Sequence, residues 1–279
     1  MEYLKTMSPK ALPHKTLIMP LVAVAIFSVM VSELTPLGAW LVEDGLIHFV
    51  AVVFCASALF LLRKKDPADH DYGAFVRFAA IGMALFGLSH VLEYFGETRK
   101  MFTDEHTLWL MFSAYFFAVG AIAHGTSSVI VQAAPDFVRR GRTVSFGIGA
   151  LYVLSSYLVL FGPDSSERSG QMLLAASLVS ISVLCVLMLN RVSRVFPALD
   201  GFASHIATAV TFVTMSLGFE LASAFLEKSG WPEWRVETVM HYFFYAGMLI
   251  FMLSFDFLNH LGGIYADLRI AAEKEGVQS

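Results

Sequence analysis

The sequence predicts an all-α polytopic integral membrane protein, a bundle of about eight transmembrane helices. Of its 279 residues, 57% are hydrophobic and only 15% are charged, and the mean hydropathy is +0.66. Soluble domains are usually close to a quarter charged. Composition therefore indicates a membrane protein, and the spacing of the apolar residues divides the chain into spans.

Eight apolar runs are long enough to cross roughly 30 Å of hydrocarbon as helices of about 20 residues. They are predicted at 17–34, 40–62, 74–96, 107–132, 144–162, 171–190, 202–226 and 236–260. Short polar segments such as "APDFVRRGR" and "GPDSSERSG" separate them. Since no linker is long enough for a second domain, residues 1–262 are expected to form the bundle and 263–279 a short cytoplasmic tail.

The positions of Lys and Arg predict that both termini are cytoplasmic. With the N-terminus inside, the inner segments hold 14 of these residues and the outer loops hold five. Cytoplasmic loops of membrane proteins carry such an excess of positive charge. The expected location is the cytoplasmic (inner) membrane, with the lipid bilayer as the first partner.

An internal repeat is also indicated. A constant shift along the sequence, equal to the difference between positions 93 and 220, is called the repeat shift. Without a gap, it places Tyr115-Phe116-Phe117 on Tyr242-Phe243-Phe244, Gly120 on Gly247, and Glu93 on Glu220. Spans 3–4 and 7–8 would then be related hairpins of the same orientation, as in parallel repeats of membrane proteins.

Two classes of chemistry are disfavoured by residue type. A retinal protein needs a lysine within a span for its Schiff base, and no predicted span has one in its interior. Cys55 and Cys185 both fall in the middle of spans, where they are expected to pack as small apolar residues rather than form a disulfide framework.

The ionisable residues of the spans sort by depth, and such residues usually mark function. With about 1.5 Å of rise per residue, the outer half of the bilayer is expected to hold Glu33, Glu43, Asp44, His48, His90, Glu93, Glu220, Glu237 and His241. The inner half holds a more scattered set, His124, His205, Asp256 and His260.

Three helices present a carboxylate and an imidazole one turn apart in the outer group. The pairs are Asp44 with His48, His90 with Glu93, and Glu237 with His241, and spacings of three or four residues share a helix face. Zn, Fe and Cu accept imidazole and carboxylate ligands. The predicted metal ligands are His48, His90, Glu93, Glu220 and His241, with Asp44, Glu237 and Glu43 orienting them from behind.

Structural roles compete with this hypothesis. Glu43, Asp44 and Glu237 lie near helix starts, where a carboxylate favours the helix dipole at headgroup level. His124 lies in the small-residue stretch "GAIAHGTSS", which favours a hydrogen-bonded histidine in the core. Spans 5 and 6 carry no ionisable residue inside and are expected to be a lipid-facing scaffold.

Four functional hypotheses follow. In the first, the bundle binds a metal ion or small ligand and reports it through the C-terminal tail, where a polar helical segment after Gly262-Gly263 would contact a cytoplasmic or membrane signalling partner. The second is a membrane metalloenzyme whose metal activates water against a lipid-like substrate. The third is a b-type haem protein, with His124 and His205 among the axial ligands. The fourth is a proton-coupled transporter.

The string "MHYFFYAGM" at residues 240–248 resembles the MHYT-type bacterial sensor domain. Domains of that type carry Met-His-Tyr triplets near the outer face of several helices, and this chain has one such triplet. The resemblance implies sensing or metal binding, with His241 as the residue that matches.

Overall fold

The computed structural model describes residues 73–97, 101–195 and 200–232, and most of 235–254. These residues form five long helices, and no strand occurs among them. The helices are α1 (Gly73–Glu97), α2 (Asp104–Ile130), α3 (Pro135–Phe161), α4 (Asp164–Val195) and α5 (Asp200–Lys228). Further helical residues between 235 and 254 are called the C-terminal segment. The predicted spans 17–34 and 40–62 and the tail lie outside the described residues.

Four stretches of these helices are long and apolar enough to cross a membrane: His106–Ile130, Pro135–Phe161, Ser169–Val195 and Asp200–Phe219. Shorter apolar stretches occur at Arg77–Ser89 and Tyr242–Phe251. The described part of the chain is therefore all-helical and has the character of an integral membrane protein in a lipid bilayer.

The helices extend beyond their apolar runs, and this corrects the predicted linkers. The sequence pattern predicts a connection at "APDFVRRGR", but α3 begins at Pro135, the first residue after its N-cap. Proline suits the first helical turn because its missing N–H has no partner there, and Asp136 favours the helix dipole. Hydropathy marks the hydrocarbon-crossing part of a helix, not the polar turns that project from it.

The helices pack mainly as neighbouring antiparallel pairs. α1 lies against α2, α3 lies against α4, and α4 also contacts α2 and α5. Two glycines allow close approach of the first pair, since a Cβ at Gly82 would lie 2.9 Å from the Ala118 carbonyl oxygen and one at Gly125 2.5 Å from Phe78 Cβ. Small residues at such crossings permit the backbone approach that drives association in membranes.

The scaffold prediction agrees with the exposure of α3, whereas α4 is buried on one face and exposes Val179, Val183 and Leu187 on the other. α3 exposes most of its apolar side chains, including Phe146, Val153 and Phe161, as expected for a lipid-facing helix. By contrast, α4 buries Leu178, Cys185 and Leu189 between its neighbours. An apolar run without ionisable residues cannot distinguish a lipid-facing helix from a central one, because lipid and protein interior are equally apolar.

Aromatic side chains join the elements in the centre of the bundle. Phe86 of α1 contacts Tyr115 of α2 at 5.0 Å between ring centroids and Phe251 of the C-terminal segment at 5.5 Å. Phe75 of α1 meets Phe202 of α5 edge to face at 5.3 Å. These contacts bring α1 to the C-terminal segment at Phe251 and the start of α1 to the start of α5.

Candidate functional site

The predicted ligands fall partly within the described helices. The positions of His90 and Glu93 lie in α1 and that of Glu220 lies in α5, although the side chains of these residues are outside the described part. His241, Glu237, His48, Asp44 and Glu43 also lie outside it. Among the described side chains, no group of three His, Cys, Asp or Glu is close enough to hold a metal ion.

The position of Glu93 continues a buried stripe along α1. The stripe has alternating spacings of four and three residues, which keep it on one helix face. Its described members are all buried: Phe75, Ala79, Gly82, Phe86 and Ser89. The next position in the same spacing is 93, so this position has the register of the buried stripe of α1.

Glu220 has the same relation to α5. The buried stripe of this helix is Phe202, Ile206, Ala209, Val213 and Ser216, and position 220 follows with the same spacing. The repeat shift places each member of the α1 stripe on the corresponding member of the α5 stripe. In each of the two helices, the same pattern of buried positions is therefore followed by an acidic residue.

The two acidic positions lie equally far along their helices. Glu93 follows Phe75, and Glu220 follows Phe202, by the same distance of five helical turns, about 27 Å. Because the separation is a whole number of turns, position 93 has the same angular position on α1 as Phe75, and position 220 has the same angular position on α5 as Phe202. Because Phe75 contacts Phe202, parallel helices would bring positions 93 and 220 to the same level near the C-terminal ends of α1 and α5.

The C-terminal segment lies beside the C-terminal half of α5. The Ser216 hydroxyl donates a hydrogen bond to the Met240 carbonyl at 2.9 Å, and the rings of Phe219 and Phe243 stack with their centroids 5.7 Å apart. Met240 directly precedes His241 in the sequence. The fold thus brings the chain around His241 to the part of α5 that carries Glu220.

The outer end of the first hairpin is closely packed. A Cβ at Gly96 would lie 2.7 Å from Cβ of Thr107, so only glycine fits between α1 and α2 there. The Thr107 hydroxyl donates to the Thr103 carbonyl at 3.0 Å, and Thr103 caps α2. This packing fixes the end of α1 close to the positions of His90 and Glu93.

The two inner histidines have different surroundings. His124 is exposed on α2, with its ring 4.6 Å from that of Phe78; the expectation of a core histidine is wrong for this residue. The small residues around it, Gly125 and Thr126, are the ones that are buried. His205 is buried in α5 and its Nδ1 is hydrogen-bonded to the Gly201 carbonyl.

Two buried hydroxyls near the candidate site are absent from the sequence-based set of candidates. Ser89 donates to the Phe86 carbonyl of its own helix at 2.7 Å, whereas Ser216 donates to Met240 across the hairpin. They are one turn below Glu93 and Glu220, and the repeat shift places Ser89 on Ser216. This shift is the sequence signal that could have found them.

Comparison with protein-family models, with characterised proteins and with solved structures finds no match for this chain. The identification therefore stops at the class that the helices define, an α-helical membrane protein. No match to a family model accompanies the resemblance of residues 240–248 to MHYT-type sensors.

Proposed function

We propose that the protein is an eight-span sensor with both termini in the cytoplasm, which binds a transition-metal ion in the outer half of its bundle. The ligands are drawn from His48, His90, Glu93, Glu220 and His241. One observation supports the proposal: positions 93 and 220 continue matched buried stripes of α1 and α5, whose first members, Phe75 and Phe202, are in contact. An acidic residue on an inward face of a membrane bundle is costly unless it is paired or functional.

The register of helix crossing supports the proposed repeat. In the first hairpin, position 82 of α1 approaches α2 between Ala118 and Ile122, on either side of position 120. In the second, Ala209 of α5 approaches Gly247 of the C-terminal segment, where a Cβ would lie 3.2 Å from the Ala209 carbonyl oxygen. The repeat shift places position 82 on 209 and position 120 on 247, so both hairpins cross at equivalent places.

The same shift supports eight spans. Applied backwards to the bounds of α3 and α4, it gives 8–34 and 37–68, which contain the predicted spans 17–34 and 40–62. Pro163, between α3 and α4, corresponds to Pro36, between those two spans. In this proposal the chain is a tandem duplication of a four-helix unit, and an even number of helices gives the two units the same orientation.

The ligand set differs between the units, and this favours one metal site rather than two. Glu93 and Glu220 correspond, but His90 corresponds to Leu217 and His241 to Ala114. The first unit then contributes one matched carboxylate together with His48 and His90, and the second contributes the other carboxylate together with His241. Imidazole and carboxylate ligands suit Zn, Fe or Cu, and bundle cores elsewhere build metal sites from Glu and His on facing helices.

Sensing is the proposed role because the C-terminal segment connects the outer half of the bundle, which holds the proposed site, with the polar tail at the membrane's inner face. Occupancy would alter the packing of this segment against α5, which the Ser216–Met240 hydrogen bond maintains. Gly262-Gly263 then leads to residues 264–279, which would contact a signalling partner.

Metal analysis and a visible spectrum of the purified protein test the proposal. About one equivalent of Zn, Fe or Cu without a Soret band is the expected result. A Soret band would replace the ion with haem b, and metal-dependent turnover of a lipid would favour the enzyme. Protein that holds neither metal nor chromophore after incubation with each ion would contradict the proposal.

A further inference from the structure

The inner end of the α3–α4 hairpin carries five arginines within about 10 Å along the helix axes. A Cβ at Gly141 would lie 2.5 Å from Met188 Cε, so these positions face each other across the antiparallel pair. Arg139, Arg140 and Arg142 lie within two residues of this contact, or about 3 Å along the axis. Arg191 and Arg194 lie three and six residues beyond Met188, about 5 and 9 Å.

This level coincides with a change in the exposed surface of α3. The exposed residues up to Thr143 are almost all polar, whereas from Val144 onward they are mostly apolar and include Phe146. α3 has 27 residues and is about 40 Å long, longer than the roughly 30 Å of hydrocarbon. Its first two turns therefore extend into the lipid headgroup layer and carry the arginines there.

The described acidic residues leave most of this charge unbalanced. Asp136 pairs with Arg139 at 3.3 Å between its Oδ1 and the guanidinium, and both side chains are more than 80% exposed. Asp200, at the start of α5, accepts a hydrogen bond from the Ser204 hydroxyl at 3.2 Å. Both aspartates lie in first helical turns, where they also favour the helix dipoles.

Arg191 differs from the other four arginines because it is half-buried. Its Nε is buried, and this atom has no hydrogen-bond partner among the described residues. A buried guanidinium N–H that lacks a partner is costly. Phosphate is an acceptor that arginine binds well, and a phosphate at the headgroup level would meet the exposed part of this guanidinium, since Nε itself is closed to it.

We infer that Arg139, Arg140, Arg142, Arg191 and Arg194 form a binding site for the phosphate of an anionic phospholipid. Clusters of basic residues at the end of a membrane span attract anionic lipids, with about 1 kcal/mol for each residue near the surface. Arg191 contacts the phosphate from the helix interface, and the four exposed arginines surround it. The acyl chains then lie along the apolar surface of α3 that begins at Val144.

Thermal unfolding of the full-length protein in neutral detergent, with added phosphatidylglycerol, tests the inference. Phosphatidylglycerol is expected to raise the midpoint of unfolding in a saturable way, and phosphatidylcholine is not. Arg191→Gln should weaken the apparent affinity about fivefold, since about 1 kcal/mol corresponds to that factor. The Arg139→Gln/Arg140→Gln double variant should weaken it about 25-fold on the same scale.

Arg235 provides the control, because it is an exposed arginine near the opposite end of the bundle. Arg235→Gln should bind phosphatidylglycerol as the wild type does. If Arg191→Gln does not fold, Arg140→Gln and Arg142→Gln, whose side chains are exposed, carry the same test. Unchanged affinity in these variants, an equal loss in Arg235→Gln, or equal stabilisation by inorganic phosphate would overturn the inference.

Discussion

The hairpin of α1 and α2 and the hairpin of α5 and the C-terminal segment cross at equivalent positions, yet they make the close approach with different residues. In the first, Gly82 on the first helix meets Ala118 and Ile122, and Gly120 on the second helix has open space around it. In the second, Ala209 replaces the glycine of the first helix, and Gly247, the counterpart of Gly120, meets Val213.

The comparison shows which property the two hairpins have in common. A small residue is needed at the crossing so that the backbones can approach, but either helix can supply it. The polar contacts also differ, since Ser89 donates a hydrogen bond within its own helix and Ser216 donates one across to Met240. Packing geometry is thus common to the hairpins, while the side chains that provide it differ.

The largest effect is expected where the hairpins meet each other. Phe75 and Phe202 are fully buried and contact one another, so Phe75→Ala and Phe202→Ala should each lower the free energy of unfolding by about 3 kcal/mol. The double variant should lose less than the sum, because the residues share one contact. Equilibrium unfolding in mixed micelles measures both.

Phe146→Ala is the matched control for that pair. Its side chain is 81% exposed, and the change should alter stability by at most about 0.5 kcal/mol. Strictly additive losses at positions 75 and 202 would show that the two hairpins do not support each other through this contact.

A smaller effect is expected at the crossings within the hairpins. Gly82→Val and Gly247→Val insert atoms where a Cβ already lies 2.7 Å from Ile122 Cγ1 and 2.8 Å from Val213 Cγ2. Overpacking of this kind costs about 1–3 kcal/mol. Thermal unfolding should show both variants below the wild type.

Gly120→Val tests whether the small residue at the crossing is supplied by the first helix in one hairpin and by the second helix in the other. No heavy atom lies within 4 Å of a Cβ built at Gly120, although this residue corresponds to Gly247. The substitution should therefore leave the unfolding temperature close to that of the wild type. A fall as large as that of Gly247→Val would mean that the two hairpins use the same glycine.

The smallest effect concerns the serines. Ser216→Ala removes a hydrogen bond between helices and should cost about 0.6 kcal/mol, the average for such bonds in a membrane protein. Ser89→Ala removes a hydrogen bond within one helix. The cost should be smaller, because the Phe86 carbonyl can still accept the backbone hydrogen bond of the helix. Paired unfolding curves compare them, and a greater loss at Ser89 would reverse the assignment.

Much of the helical architecture could be predicted from the sequence, because long apolar runs have few alternatives in a membrane. The ends of the helices could not, since the turns at Pro135–Arg142 are polar and project from the hydrocarbon. His124 shows a second limit: its neighbours are small, but small residues on one face say nothing about the residue on the opposite face. The central position of α4 depends on which helices pack against it, and no pattern in its own sequence indicates that position.

The candidate site is predicted in part by residue type and spacing. The pairing of acid with imidazole one turn apart is a local pattern that the sequence displays directly. The stripe from Phe75 to Ser89, its counterpart in α5 and the contact between Phe75 and Phe202 depend on tertiary packing. Only this packing relates the depth of Glu93 to that of Glu220.

Zinc binding to purified Glu93→Gln and Glu220→Gln, measured by equilibrium dialysis, tests the central claim most directly. Equivalent positions predict that each substitution weakens Zn²⁺ binding by a similar factor, while Glu93→Asp and Glu220→Asp retain more of it. Asp136→Asn, which removes an exposed carboxylate at the opposite end, should bind as the wild type does. Loss in only one of the two glutamine variants, or in neither, would contradict a site shared between the two hairpins.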